Sequence, residues 1–186
     1  MDFILGVLPF VIFILVISVR EVKQYQRGVK FRLGKFVGVK QPGWRLVFPI
    51  IEKMPRIDIR VKAVDVPNQE AITRDNISCQ INAVIYYKVI AAEKAVIEVE
   101  NFMFAVSQLA QTTMRNVVGE MELDELLQNR EQASSKIKKI VDELTDPWGI
   151  RIDNVELKDV VLPDDMRRVI GKQAEAERER RSVVTK

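Results

Sequence analysis

Apolar and polar residues alternate in residues 29–33, and the same period of two recurs in residues 44–48, 57–62 and 77–89. This period is typical of β-strands with one buried face. Cys79 falls on the apolar face of the last of these segments, which favours a small buried side chain over a reactive thiol. The first half of the soluble part is therefore predicted to be rich in strands.

From about residue 91 the apolar residues recur with a helical period instead. Asn101 is the predicted N-cap of a helix that ends near Gly119, and a second helix has its apolar stripe within residues 133–144. An extended segment over residues 150–157 follows, in which a shift of phase near Asn154 predicts a bulge. The pattern predicts mixed α and β structure, with strands first, helices next and one returning strand.

Residues 3–19 form an uncharged run rich in Ile, Leu, Val and Phe, which predicts a membrane segment. The residues that flank the run do not match a cleaved signal peptide, so we interpret it as retained. As a helix it spans about 25 Å of a hydrocarbon core roughly 30 Å thick. A spanning helix and a shallow insertion bent at Pro9 both stay open. The predicted anchor residues are Phe3, Pro9, Phe10, Phe13 and Val19.

Positive charge is concentrated directly after this run. Residues 1–62 contain 12 Lys/Arg and 4 Asp/Glu, whereas residues 63–186 are net acidic. A basic block beside an apolar segment favours phospholipid headgroups over nucleic acid, and it places the following domain on the cytoplasmic side. For the tryptophan in this block, an interfacial position and an ordinary core position both stay open. The predicted headgroup contacts are Arg20, Lys23, Arg27, Lys30, Trp44 and Arg45.

The residue inventory excludes several kinds of chemistry. The chain has no His and one Cys, which excludes a Ser-His-Asp triad, an HExxH zinc site, a disulfide and a Cys-cluster metal site. The acids of residues 120–125 alternate with apolar residues and are interpreted as solvated surface, and Asp164 and Asp165 suit a helix start. We expect no catalytic residue, cofactor or metal.

A last helix is predicted to begin at Pro163 and to become strongly charged. Its apolar stripe is thin, and Glu177 and Arg181 are four residues apart, a spacing that supports a solvated helix. Such a helix buries little surface alone and is expected to pair with neighbours. The predicted oligomerisation residues are Glu175, Glu177, Arg178, Glu179, Arg180 and Arg181.

Four stretches, in this order behind the membrane segment, carry a resemblance to a known family: QPGWRLVFPIIEKMPRIDIR, VPNQEAITRDNISCQINAVIYYKV, WGIRIDNVELKDVVLP and QAEAERERR. Together they closely resemble the stomatin (slipin) branch of the SPFH, or band 7, superfamily, to which prohibitins and flotillins also belong. The resemblance covers essentially the whole chain. Its specificity lies in the order and spacing of the blocks.

The resemblance implies an α+β fold, an SPFH domain of two small α/β subdomains with a mostly antiparallel sheet, followed by a helical rod through which copies assemble into rings or cages. It also implies a non-enzymatic scaffold that organises a membrane microdomain and regulates partners such as channels or membrane proteases. An NfeD-type membrane protein is a further implied partner. The expected divisions are residues 1–19 (anchor), 20–90 (membrane-proximal, strand-rich), 91–163 (helix-rich) and 164–186 (start of the rod).

Two other function classes stay open at this point. A membrane-tethered hydrolase requires a cluster of acid, base or nucleophile side chains, which the sequence does not display. A lipid-binding or nucleic-acid-binding module that uses the basic block requires no assembly, so the mass of the solubilised protein distinguishes it from a scaffold.

Replacing Glu175, Glu177 and Glu179 together with Lys is expected to shift the assembly toward small species. Each exposed ion pair contributes only about 0–1 kcal/mol, but a ring repeats the new repulsion at every interface. The mass of the detergent-solubilised full chain measures the effect, and reversing Arg178, Arg180 and Arg181 to Glu as well should restore assembly. A ring of unchanged mass in the triple-Lys variant contradicts the assignment.

Overall fold

The computed structural model describes residues 17–162 of the chain. Residues 17 and 18 are helical, and a 3₁₀ turn covers Asp146–Trp148. The strands of this part are β1 (Val19–Val22), β2 (Gln26–Arg32), β3 (Lys35–Lys40), β4 (Gly43–Leu46), β5 (Glu52–Lys53), β6 (Arg56–Asp58), β7 (Lys62–Ile72), β8 (Ser78–Val89) and β9 (Ile150–Val161). The helices are α1 (Ala92–Ile97), α2 (Phe102–Gly119), α3 (Leu123–Gln128) and α4 (Arg130–Thr145).

The described residues divide into two compact units, and each unit is built from separate stretches of the chain. The first unit, called unit 1, contains residues 17–63, Tyr86–Ala105 and Asp142–Asp153. The second, called unit 2, contains Val64–Ile85, Val106–Val141 and residues 154–162. The divisions expected from the sequence follow chain order, and they stay a prediction.

Unit 1 is organised around β2. This strand pairs antiparallel with β3 along its length, and with β5 and β6 on its other side. A separate antiparallel ribbon pairs β1 with β4. Val29, Val89, Ala92 and Ala95 form a small buried core beneath these strands and α1, and its partly buried rim is Phe31, Ile57, Val96 and Phe102.

Unit 2 contains most of β7, β8 and α2, and all of α3. Alternate residues of β8 are buried, among them Cys79 and Ile81, so the period of two in the sequence is confirmed as a half-buried strand. Cys79 is 1% exposed, which confirms its assignment as a small buried side chain. β7, β8 and β9 form a three-stranded sheet in that order.

The two helices predicted between residues 91 and 145 are confirmed. Asn101 caps α2, because its Oδ1 accepts a hydrogen bond from the backbone N–H of Phe104 at 3.1 Å. The stripe of α2 is buried at Val106, Ala110, Thr113 and Val117, and α4 buries Ala133, Ile137 and Val141. The predicted shift of phase in the last strand is also present, since Ile150, Ile152 and Val155 are the buried residues of β9 in this segment.

The strand predicted over residues 57–62 is wrong as a single element. β6 ends at Asp58 and β7 begins at Lys62. The Asp58 carboxylate accepts a hydrogen bond from the backbone N–H of Arg60 at 2.9 Å, which is an Asx turn that competes with strand pairing. The Arg60 guanidinium also lies 4.1 Å from the ring centroid of Tyr25, so the turn is held from two sides.

Two predicted parts of the chain lie outside the described residues. They are the apolar run up to residue 16 and the charged helix from residue 163 onward. Within residues 17–162, no helix combines the length and the apolar character that are needed to cross a membrane.

The chain turns sharply after α4, at the residues Asp146, Pro147, Trp148 and Gly149. Gly149 adopts a left-handed conformation with φ of 69° and donates its N–H to the carbonyl of Asp146 at 2.9 Å. Its own carbonyl accepts hydrogen bonds from the N–H groups of Ile90 and Ala91. A Cβ at this position would lie 2.7 Å from both Cβ and O of Ala91, so only glycine fits.

Gly149→Ala is therefore expected to lower the free energy of unfolding by about 3 kcal/mol, because a backbone strain is added to a clash. Gly34→Ala is the matched control, since Gly34 has φ of 82° but nothing within 4 Å of an added Cβ. It should lose only about 1 kcal/mol. Equal losses in denaturant titrations of the two variants would contradict the clash.

Candidate membrane-binding surface

Several large apolar side chains of unit 1 are exposed. The exposed fractions are 79% for Leu33, 80% for Trp44 and 94% for Ile50. Single exposed apolar residues are common, but a group within one small unit is typical of a surface that binds a partner or a membrane. We use the name apolar surface for six exposed apolar residues of unit 1 that lie in or beside its turns and its loop. They are Leu33, Phe36, Trp44, Leu46, Ile50 and Ile51.

Trp44 and Leu46 lie on one face of the ribbon formed by β1 and β4. In the register of this ribbon, Val19 is opposite Leu46 and Glu21 is opposite Trp44. Because side chains alternate along a strand, these residues share a face and the pair formed by Arg20 and Arg45 points to the other. The ribbon therefore presents an indole on one side and two guanidinium groups on the other.

Leu33 occupies a position that ordinarily takes Asn or Gly. It forms the two-residue turn between β2 and β3 together with Gly34, and both residues have positive φ, at 49° and 82°. A branched apolar side chain is disfavoured both by this backbone conformation and by its exposure. A residue that is unfavourable for folding at an exposed tip points to a role in binding.

The loop of residues 47–51 follows β4 in the chain and is hydrogen-bonded both to the turn at Leu33 and to Ser18, the residue before β1. The N–H of Leu33 donates to the carbonyl of Ile51 at 2.9 Å, and the N–H of Val47 donates to the carbonyl of Ser18 at 2.7 Å. Val47 is buried, whereas Leu46 and Phe48 on either side of it are exposed, so the buried apolar face predicted for residues 44–48 is wrong. The strand ends at Leu46, and the chain then turns Val47 inward. These backbone hydrogen bonds hold Ile50 and Ile51 beside the turn.

Glu52 is the buried acid on which this arrangement depends. Its side chain is 1% exposed and forms ion pairs with Lys30 at 2.6 Å and with Arg32 at 2.8 Å. Its Oε2 also accepts a hydrogen bond from the backbone N–H of Phe48 at 3.2 Å. One carboxylate thereby fixes β2 to the start of the exposed loop.

The protonation of Glu52 reflects these partners. The hydrogen bond from Lys30 lowers the pKa of Glu52 from 4.5 to about 2, aided by Phe48 and Arg32 and opposed by desolvation. The carboxylate is thus charged at neutral pH.

The predicted headgroup residues are all in unit 1, but they have different surroundings. Arg20 and Arg45 share one face of the ribbon, and Lys23 is exposed with its Nζ 5.8 Å from the ring centroid of Tyr25. The Arg27 guanidinium donates to the carbonyl groups of residues 24 and 26. The Lys30 side chain is 11% exposed and is bound to Glu52, so its charge is used inside the unit.

Trp44 is exposed, which excludes the alternative in which it is part of the core. Of the predicted anchor residues, only Val19 is described, and it begins β1. The predicted anchor residues Phe3, Pro9, Phe10 and Phe13 lie outside the described residues, as do the predicted oligomerisation residues Glu175, Glu177, Arg178, Glu179, Arg180 and Arg181.

The acids of residues 120–125 are at the surface of unit 2. Glu120 pairs with Lys136 and Glu122 pairs with Arg74, whereas Asp124 and Glu125 lie in the first turn of α3, as the sequence indicates. Residues 17–162 contain no group of three His, Cys, Asp or Glu side chains arranged to hold a metal ion. Burial raises the pKa of the Cys79 thiol, so a reactive thiolate is disfavoured.

Sequence reasoning missed Leu33, Ile50, Ile51 and Glu52. The signal was present in the segment from Pro49 to Pro55, where two isoleucines lie between two prolines, neither of which can donate a backbone hydrogen bond to a neighbouring strand. Apolar residues in such a loop have no buried face to occupy. An acid directly after them is a candidate to anchor the loop.

Comparisons with known proteins identify relatives that match most of the chain. Residues 20–186 match the family described as SPFH domain / Band 7 family. A stomatin homolog of Pyrococcus abyssi is 48% identical over 179 residues, which is 96% of this chain and 67% of that protein. A stomatin homolog of Pyrococcus horikoshii is 46% identical over the same length and coverage. Stomatin-2 of Caenorhabditis elegans is 41% identical over a match that covers 89% of this chain and 44% of the length of Stomatin-2.

Glu52→Gln is expected to destabilise unit 1, because it leaves the mostly buried Lys30 without a counter-ion. We expect the melting temperature to fall by on the order of 5 °C. Glu122→Gln removes an exposed acid of the pair with Arg74 and should change it by about 1 °C. Equal decreases in the melting temperature of the two variants would show that the buried ion pair stabilises the protein no more than the exposed pair does.

The same substitution has a predicted pH dependence. Because folding lowers the pKa of Glu52 from 4.5 to about 2, its stabilising contribution is complete above pH 4.5 and is lost as the pH falls toward 2. The difference in stability between the wild type and Glu52→Gln should shrink over this interval. A difference that stays constant between these pH values would contradict the assignment.

Proposed function

Because the chain belongs to the SPFH domain / Band 7 family, we propose that it is a stomatin-type membrane scaffold whose unit 1 lies on the bilayer with its apolar surface inserted. The observation that carries this proposal is the exposure of Leu33, Trp44 and Ile50 in the unit that directly follows the apolar run of residues 3–19. The membrane segment tethers the chain, and the apolar surface orients the unit.

Magnitudes favour apolar insertion over charge as the main attraction. Complete burial of a large apolar side chain contributes about 1.5–3 kcal/mol, so three of them contribute on the order of 5 kcal/mol. A basic residue near an anionic surface contributes about 1 kcal/mol and is screened by salt. Arg20, Lys23 and Arg45 therefore refine the orientation, whereas the apolar surface determines attachment.

The rest of the proposal concerns assembly and partners. We infer that copies associate into a ring or cage through the charged helix that the sequence predicts from residue 163 onward, with a coiled-coil-like rod outside the domain. The domain lies on the cytoplasmic side, in keeping with the basic residues after the apolar run. The scaffold is non-catalytic and organises a membrane microdomain, where an NfeD-type membrane protein or a membrane protease is the partner class that the family suggests.

Trp44 itself provides the test of insertion. Trp148 is the other tryptophan of the chain, so Trp148→Phe leaves Trp44 as the single indole emitter. With the full chain reconstituted in phosphatidylcholine vesicles, we expect a blue-shifted Trp44 emission that lipids with brominated acyl chains quench. Leu33→Ser with Ile50→Ser should at least halve the quenching.

The matched control replaces two exposed apolar residues of unit 2, Ile72 and Val161, with Ser. This variant removes exposed apolar side chains that lie outside unit 1, and it should leave the quenching of Trp44 unchanged. An emission maximum typical of indole in water, without quenching in the parent protein, would contradict insertion of unit 1.

A further inference from the structure

A cavity of about 420 Å³ lies in unit 1 next to the exposed loop. Its wall combines three basic side chains, Arg20, Lys53 and Arg56, with apolar groups that include Pro49 and Met54. The volume is within the range of about 300–1,000 Å³ that is typical of small-ligand sites. Cationic and apolar groups in one wall suit a ligand that is itself anionic at one end and apolar at the other.

The chain brings these three bases together from separate strands. Arg20 is in β1, Lys53 ends β5 and Arg56 begins β6, and the connection between β5 and β6 consists of Met54 and Pro55. This connection packs tightly on β2, because the carbonyl of Pro55 accepts a hydrogen bond from Val29 N–H at 2.9 Å. The wall is thus fixed by backbone rather than by flexible side chains alone.

Gly28 is the residue that permits this packing. A Cβ at Gly28 would lie 2.8 Å from the Met54 sulfur, so the missing side chain lets Met54 lie directly against β2. Lys53 and Arg56 are on either side of this contact in the chain.

The acidic residue of the cavity wall is already paired with basic residues. Glu52 also lines the cavity, but its carboxylate is bound by Lys30, Arg32 and the N–H of Phe48. Within residues 17–162, Arg20, Lys53 and Arg56 have no ion pair with a carboxylate, and Arg56 donates only to the carbonyl of Glu21 at 3.2 Å. The cavity therefore has an excess of uncompensated positive charge, which selects for an anion.

We propose that this cavity binds the phosphodiester of an anionic phospholipid, with Arg20, Lys53 and Arg56 as the phosphate ligands. This inference rests on the proposed function, since insertion of the loop brings the cavity to the headgroup layer. Pro49 is part of the wall and the next residue, Ile50, is almost completely exposed, so the acyl chains of a bound lipid have an apolar path along the loop. Guanidinium groups bind phosphate oxygens through two parallel N–H···O hydrogen bonds, so Arg20 and Arg56 suit the phosphodiester of a phospholipid.

A net anionic lipid is preferred over a zwitterionic one for the same reason. Phosphatidylcholine carries a cationic choline beside its phosphate, and three uncompensated bases repel that group. Phosphatidylglycerol has the same phosphodiester without the cation. The cavity therefore selects among lipids of similar size by charge.

Lipid selectivity of the reconstituted full chain tests this proposal. Trace spin-labelled phosphatidylglycerol or phosphatidylcholine is added to phosphatidylcholine vesicles that contain the protein, and electron paramagnetic resonance measures the fraction of each that is immobilised. We expect phosphatidylglycerol to be preferred by about fivefold or more. Arg20→Gln, Lys53→Gln and Arg56→Gln combined should reduce the preference to less than about twofold.

The matched control removes three charges of unit 1 that are outside the cavity, with Lys35→Gln, Lys40→Gln and Lys62→Gln. Lys35 follows the exposed Leu33 turn, so this variant also loses charge close to the proposed membrane surface. Retained selectivity in the control supports a specific site. An equal loss in both triple variants, or no selectivity in the parent protein, overturns the cavity assignment and indicates general electrostatic attraction at most.

Two further measurements are made. The first distinguishes a phospholipid from free phosphate as the ligand, and the second distinguishes failure of the cavity proposal from failure of the proposed membrane insertion. Inorganic phosphate that replaces chloride at equal ionic strength should not abolish the preference, because it lacks the acyl chains; abolition would mean that the cavity is a site for free phosphate. Quenching of Trp44 by brominated lipid is recorded for the same variants in the Trp148→Phe background. Quenching without selectivity rejects the cavity and retains insertion, whereas an unquenched Trp44 rejects the proposed function itself.

Discussion

The exposed loop and the cavity of unit 1 both depend on a single physical constraint, which is that a buried carboxylate must be paired. Glu52 meets this requirement with Lys30 and Arg32 from β2 and with the backbone of Phe48. These contacts join a short strand, a central strand and the loop that carries Ile50. They also remove the one acid of the cavity wall from competition for the surrounding bases.

Folding and binding make opposite demands on this region. Leu33 with a positive φ, and Trp44 and Ile50 with most of their area in water, all reduce the stability of an isolated unit. A bilayer recovers the apolar part of that loss, because the same side chains are removed from water on insertion. We therefore infer that the contacts of Glu52 and Gly28 fix the backbone of unit 1, and that the apolar surface carried by this backbone contacts lipid.

Much of the fold could be predicted from the sequence, and the reason is periodicity. β8, α2 and α4 each bury one face over several turns or pleats, so their patterns are unambiguous. The Asx turn at Asp58 broke a pattern that continued through it, because a local side-chain hydrogen bond outweighed alternation. The exposed apolar residues were only partly predictable from the sequence. Trp44 stands out as an aromatic residue in a basic block, whereas Leu33 falls within a predicted half-buried strand and no pattern singles out Ile50. Periodicity identifies apolar faces that become buried, and it does not identify apolar residues that stay exposed.

The most direct measurement of the central idea is the depth of Ile50 relative to the bilayer surface. Cys79 is the only cysteine and is buried, so Cys79→Ala with Ile50→Cys provides a single site for a nitroxide label on the full chain in vesicles. Insertion predicts that the label collides more often with oxygen, which concentrates in the hydrocarbon, than with a water-soluble nickel complex, and that a label placed through Ile72→Cys shows the reverse. A label at residue 50 that is as accessible to nickel as the one at residue 72 would contradict the account.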